Sequence, residues 1–386
     1  MFCFTNHTFC AASAFAWLSW LLLTGFGAGL CANEPCATVD TWPCFRGCLD
    51  GSGTSAVLLP DNPQLVWKKQ FGKTAFEATP VIAGGIIYIG DLDGTFHAMQ
   101  LKSGELLWEV KNQAGWSAAA AVTEKVVIAG DMDGVIHAFD RIDGSLIWSH
   151  HVGGEVSGGP SILGTRVLIG AQDATLSCLS ITDGKVQWTH SIGDQIRCTP
   201  TVAGGKVFLA GCDGKLHVID VEHGKAIGQV SIDGPTGTTP ATAEGRAFFG
   251  SEGGAFWAID YVKLEVAWKV VPAVGGQAYR SSAAVAEGIV VVGSRARAVE
   301  AFATFDGSRR WRFATRGRVD SSPVIVGSRV FVGDTAGKIF ALDVSSGKLS
   351  WEFDAGVGFS SSPAVAAGCL VMASEDGTIW CFSDKN

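Results

Sequence analysis

The chain has 386 residues, 50 of them glycine, with 47 % hydrophobic and 17 % charged positions, where ordinary chains hold about 7 % glycine and about 25 % charge. That hydrophobic content excludes a disordered chain, and glycine without a three-residue period excludes collagen. The net charge of −8, with no basic stripe, argues against a nucleic-acid partner. A large core cut by many turns points to an all-β protein.

The first segment stands apart. No charged side chain occurs from Phe9 to Ala32, and Ala14–Leu23 is its most apolar stretch. Three readings of residues 1–32 stay open: a secretory signal cut near Ala32, an uncleaved membrane anchor through residues 9–32, or a lipidated Cys31. Each places the body outside the cytoplasm, in the periplasm or cell envelope. Of the 11 cysteines, three lie in this segment. Among the rest, Cys44 and Cys48 are close enough in sequence to pair locally. The others read as small buried residues on strands, or as disulfide partners in an exported chain. No CxxC pair and no histidine at ligand spacing suggests a zinc site.

Past residue 60 the chain repeats. Tryptophan recurs at Trp67, Trp108, Trp148, Trp188, Trp268, Trp311 and Trp351, with Gly228 where an eighth marker would fall. Each unit of about 40 residues reads as four short strands punctuated by Asp-Gly and Ser-Gly turns, the signature of a propeller blade. Units begin near Thr79, Ala118, Gly159, Thr199, Thr239, Ser282, Ser322 and Ser362. The eighth lacks its fourth strand, and a spare strand, Gln64–Lys69, precedes the first. The expectation is one eight-bladed propeller over residues 61–384, its last blade completed by the N-terminal strand, preceded by a leading segment at 33–60. Closure removes exposed sheet edges.

The stretch Ala341–Trp351, A-L-D-V-S-S-G-K-L-S-W, resembles the tryptophan-docking motif of PQQ-like (quinoprotein-type) propeller repeats. Ala138–Trp148 matches closely, Cys178–Trp188 keeps Gly184-Lys185, and Ala258–Trp268 loses the glycine. Trp42-Pro43-Cys44-Phe45-Arg46-Gly47 is similar to the W-P-x-F-R-G segment that leads exported bacterial members. The resemblance implies that the seven tryptophans dock blade on blade, and that Gly228 leaves one interface less well filled. Among such proteins is the propeller lipoprotein of the outer-membrane β-barrel assembly machinery. That likeness implies a monomeric, non-catalytic scaffold with a protein partner in the envelope assembly machinery and no cofactor. The alternative is a small periplasmic quinoprotein with pyrroloquinoline quinone and Ca²⁺ on the axis. Against it, the chain has no Cys-Cys, no CxxCH haem site, and no matching Glu/Asn/Asp calcium set.

A ligand or partner is expected where the eight first strands begin, because propeller geometry gathers these positions around the axis. Counting back from the Pro/Ala markers gives Glu77, Trp116, Ser157, Arg197, Gly237, Arg280, Asp320 and Ser360, with Phe76, Tyr279 and Phe359 adding aromatic surface. The competing reading is solvated loops with internal ion pairs such as Arg280–Asp320. Asp91/Asp93 and Asp131/Asp133 lack the later ligands of a calcium loop and read as plain turns. His97, His137 and His217 share one third-strand position and read as structural.

Overall fold

The structure is a computed structural model and describes residues 37–271 and 277–384. The signal, anchor and lipidation readings of residues 1–32 lie outside them. The described residues contain no helix and form eight antiparallel sheets, each with the four strands of one blade. Blade 1 shows the common plan in Val81–Ala83, Ile86–Gly90, Thr95–Gln100 and Leu106–Lys111. The inner strands are flanked by neighbouring blades on both faces, so they read as unbroken apolar runs. The outermost strand meets solvent, so exposed positions intersperse its buried ones.

Strand Gln64–Gln70 pairs antiparallel with Thr378–Ser383, from Gln64 opposite Ser383 to Gln70 opposite Thr378. It supplies the missing strand of blade 8 and closes the ring as the repeat count requires.

The docking tryptophans work as a set. The indole of Trp148 donates its N–H to the Ile181 carbonyl of the next blade at 2.8 Å, and its ring lies over Gly184, where a Cβ would come within 2.6 Å. Gly184 also has φ +68, so both the turn and the flat ring demand glycine there. Trp67, Trp108, Trp268 and Trp311 make the same bond to Leu101, Arg141, Thr304 and Val344.

The interface marked by Gly228 is filled, contrary to expectation. In the next blade Leu264 stands where the motif has glycine, and a Cβ on Gly228 would meet the Leu264 side chain at 2.3 Å. The leucine thus reaches into the space the indole leaves, at the cost of a φ of +58, which side-chain-bearing residues adopt only with strain. Gly228→Trp alone should lose about 1–3 kcal/mol from overpacking. Adding Leu264→Gly should recover that loss, giving a strong coupling in a double-mutant cycle read by urea unfolding. Additive effects would refute the exchange.

The leading segment is a strap that circles the axis on one face of the ring. Val39, Trp42, Pro43, Leu49, Asp50, Ser52 and Gly53 offer carbonyls to Ala367, Ile82, Val122, Val202, Thr242, Val285 and Ile325 in blades 8, 1, 2, 4, 5, 6 and 7. Cys44 packs into the core of blades 2 and 3. Thr54–Ser55 adds a short parallel strand to blade 7. Arg46 is buried at the centre, 1 % exposed. One of its terminal nitrogens donates to the carbonyls of Ala283 and Pro323, at 2.9 and 2.5 Å. Burial pulls its pKa down from 12.5 to about 9.

The expected Cys44–Cys48 pairing does not form. Cys44 is a free, buried thiol whose pKa burial pushes up to about 12. Cys48 is disulfide-bonded. Cys44, Cys178, Cys198, Cys212, Cys369 and Cys381 are all free, so its partner lies outside the described residues. Cys44 is instead taken up as a small apolar residue in the core of blades 2 and 3.

Candidate functional site

On the face opposite the strap the channel opens as a funnel. Its deep chamber, about 160 Å³, has Phe45 of the strap among its lining residues, so the strap provides a floor. Glu77, Ser157, Arg197, Gly237, Arg280, Asp320 and Ser360, seven of the eight axial positions read from the sequence, line it together. A wider mouth of about 380 Å³ adds Glu155, Gln172 and Glu252.

The chamber wall rests on a ring of hydroxyls. The N–H of Gly159 donates to Thr199 Oγ1, that of Thr199 to Thr239, then on to Ser282, Ser322 and Ser362 and finally to Thr79, at 2.9–3.2 Å. Six of the eight blades thereby cap an amide of the preceding blade that the channel would otherwise leave unpaired. Ala119 in blade 2 and Gly159 in blade 3 carry no hydroxyl and interrupt the ring.

Two site residues are placed elsewhere. Blade 2 carries Ala118-Ala119-Ala120 where six of the other units have a proline marker and blade 6 has Ala283, and the true axial position is Ser117. Trp116 is one residue earlier and fully buried, packed on Phe96, His137 and Phe139. Tyr279 holds the same position in blade 6, is 2 % exposed, and donates its hydroxyl to Glu300. Phe76 and Phe359 are likewise buried. Alternation along the segment turns these rings into the wedges between blades, so Trp116, Phe76 and Phe359 add no aromatic surface to the axis, while Tyr279 borders the mouth.

The Arg280–Asp320 ion pair is also replaced. Asp320 is held by Arg295 through two bonds of 2.9 Å, while Arg280 faces Glu252 at 4.0 Å. Arg197 bonds only the amide oxygen of Gln195.

The third-strand histidines pair with the turn aspartates: His97 with Asp91 at 3.0 Å, His137 with Asp131 and His217 with Asp213 at 2.9 Å. Asp91 and Asp131 also accept from the backbone of their own turns, which makes the Asp turns braces. Burial holds the His217 imidazole below its ordinary 6.5 despite Asp213. Below pH 6.5 the unfolded chain therefore takes up a proton that the folded chain resists, and stability falls as pH drops. Melting curves at stepped pH should show this decline, and His217→Gln should lessen it. An equally steep decline in the variant would count against the assignment.

A family model described as outer membrane protein assembly factor BamB matches residues 49–131, 92–239, 172–315 and 295–386. The chain belongs to this PQQ-repeat family. Among solved structures, this BamB-family propeller is similar to BamB from Moraxella catarrhalis, at 16 % identity and TM-score 0.72, covering 84 % of this chain and 98 % of that one. It is also similar to the quinohemoprotein alcohol dehydrogenase from Comamonas testosteroni, at 13 % and 0.77, covering 89 % and 80 %. The computationally designed Ika8 protein gives 18 % and 0.71, covering 83 % and 100 %. At these identities the likeness is one of fold. A comparison with curated proteins found no match.

Sequence reading missed Phe45, Ser117, Arg295 and the strap's Arg46. Only the off-period alanine run in blade 2 signalled the register error.

Proposed function

We propose that this protein is a non-catalytic, exported scaffold that presents a rigid propeller face to a protein partner in cell-envelope assembly. The observation that carries this reading is an exposed patch on the strap face. Phe305 is 77 % and Val262 74 % exposed, at equivalent turn tips of the adjacent blades 6 and 5. The Arg246 guanidinium lies over the Phe305 ring at 5.4 Å. An aromatic side chain beside an arginine is the composition of an interface hot spot, and such side chains at turn tips serve no packing need of the ring. The family description supports an envelope role.

The quinoprotein alternative fits the axis poorly. Among the lining residues of the chamber Phe45 is the sole aromatic ring. The chamber, about 160 Å³, is under the roughly 300–1,000 Å³ of ordinary small-molecule sites, so a quinone-sized ring system would have room only in the polar mouth. Among the described residues, no three His, Cys, Asp or Glu side chains gather to hold a metal ion.

Cross-linking in envelopes of the source cell, followed by purification of the full chain, should recover components of the barrel-assembly machinery. Phe305→Asp should abolish that recovery while leaving the melting temperature unchanged. Saturable binding of pyrroloquinoline quinone with Ca²⁺, accompanied by dye-linked alcohol oxidation, would overturn the scaffold reading.

A further inference from the structure

The axial positions are close to symmetric about one diameter of the ring, with Ser157 and Asp320 in blades 3 and 7 the one unmatched pair. In blade order they are Glu77, Ser117, Ser157, Arg197, Gly237, Arg280, Asp320 and Ser360. In an eight-bladed ring Glu77 of blade 1 stands opposite Gly237 of blade 5. Glu77 is flanked by two serines, from blades 2 and 8, and Gly237 by two arginines, from blades 4 and 6.

The two poles differ in what they leave unsatisfied. At the Glu77 pole, neither Ser117 Oγ nor Ser360 Oγ has a hydrogen-bond partner although both atoms are buried, and Glu77 makes no ion pair among the described residues. An unmade bond on a buried polar atom is costly. Two hydroxyl oxygens and a carboxylate match the three donors of an ammonium group. At the other pole, Arg197 touches only a neutral amide and Arg280 is 4.0 Å from its carboxylate. Gly237 carries no side chain to fill the gap between them. Two guanidinium groups flanking a gap are suited to a carboxylate. The other acid among the eight axial positions, Asp320, is already neutralised by Arg295, while Glu155 and Glu252 stand further out at the mouth.

We propose that the funnel binds a small zwitterion with its ammonium and carboxylate at opposite ends, the chemistry of a short free peptide or an ω-amino acid. The ammonium sits among Glu77, Ser117 and Ser360, and the carboxylate bridges Arg197 and Arg280. Phe45 floors the chamber, so the ligand enters and leaves by the mouth. This site is distinct from the patch at Phe305 on the opposite face, and its test involves no partner protein.

The test is calorimetric titration of the full chain with glycylglycine, triglycine and 6-aminohexanoate, each beside its N-acetylated and its C-amidated form. An uncapped probe should bind saturably, and either cap should weaken it by about 10- to 100-fold, the effect of losing one charged hydrogen-bonding group. Glu77→Gln should reproduce the effect of the N-cap, and Arg197→Ala with Arg280→Ala that of the C-cap. Glu77, Arg197 and Arg280 are exposed, and an unchanged melting temperature verifies that each variant folds. Preference for the glycine peptides assigns the peptide class, and preference for 6-aminohexanoate the ω-amino acids. No saturable binding at millimolar probe, or binding indifferent to the caps or to the substitutions, overturns the proposal.

Discussion

Trp148→Ala is expected to destabilise the propeller by about 3–5 kcal/mol, the range for removing a large buried aromatic side chain. Trp148 is 8 % exposed, so nearly all its ring is lost from a blade interface. The substitution also strips the Ile181 carbonyl of its partner. The same change at Trp351 should cost less. Blade 8 is split and has no turn for that ring to cover, and Trp351 instead meets Phe382 at 5.6 Å without an N–H bond among the described residues. Equilibrium unfolding in urea gives both values. Equal losses at the two positions would show that ring area alone, and not the indole–carbonyl bond, holds the interfaces.

Arg46→Ala should lose about 2–5 kcal/mol, since two buried carbonyls, of Ala283 and Pro323, each forfeit a donor. Arg46→Lys should rescue little, because burial penalises the compact ammonium more heavily and it lacks the guanidinium's forked reach. Arg46→Met separates packing from bonding by restoring volume without donors. If methionine matches the wild type in urea unfolding, Arg46 is dispensable as a donor and the strap is held by its backbone alone.

The contrast between what the chain discloses and what it conceals follows from periodicity. Blade number, strand pairing and the split eighth blade are legible because packing repeats one demand at each interface, and tryptophan and glycine answer it at fixed spacing. The strap is legible only at Trp42-Pro43-Cys44-Phe45-Arg46-Gly47, where buried side chains mark it. Most of its bonds to the blades run through its own carbonyls, which leave no mark on side-chain identity, and it has no repeat of its own. The exchange between Gly228 and Leu264 hides for another reason. Each looks like a local lapse from the motif, and only the register of blade 4 against blade 5 joins them. The axial ring was recoverable in seven blades because a proline or equivalent alanine fixed the count. In blade 2 the alanine run removed that fixed point, and the neighbouring Trp116 turned out to face the wedge. The ion pairs at the mouth involve second-to-third-strand turns, such as Arg295 and Glu252, which counting within one segment does not reach.

The strap and the closing strand also set the order in which the molecule can assemble. Residues 39–70 are synthesised early, yet their partners include Ile325, Ala367 and Thr378–Ser383. Until those emerge, the early segment has no complete surface to lie on, and blade 1 keeps an open flank. Pairing across such sequence separation is slow and leaves strand edges exposed meanwhile. Blades 1 to 7 can form as they appear, but the floor and the final blade lock together only when the eighth unit arrives. Synthesis halted within blade 8 therefore yields not a ring lacking one piece but a chain whose first and last parts are both unmade.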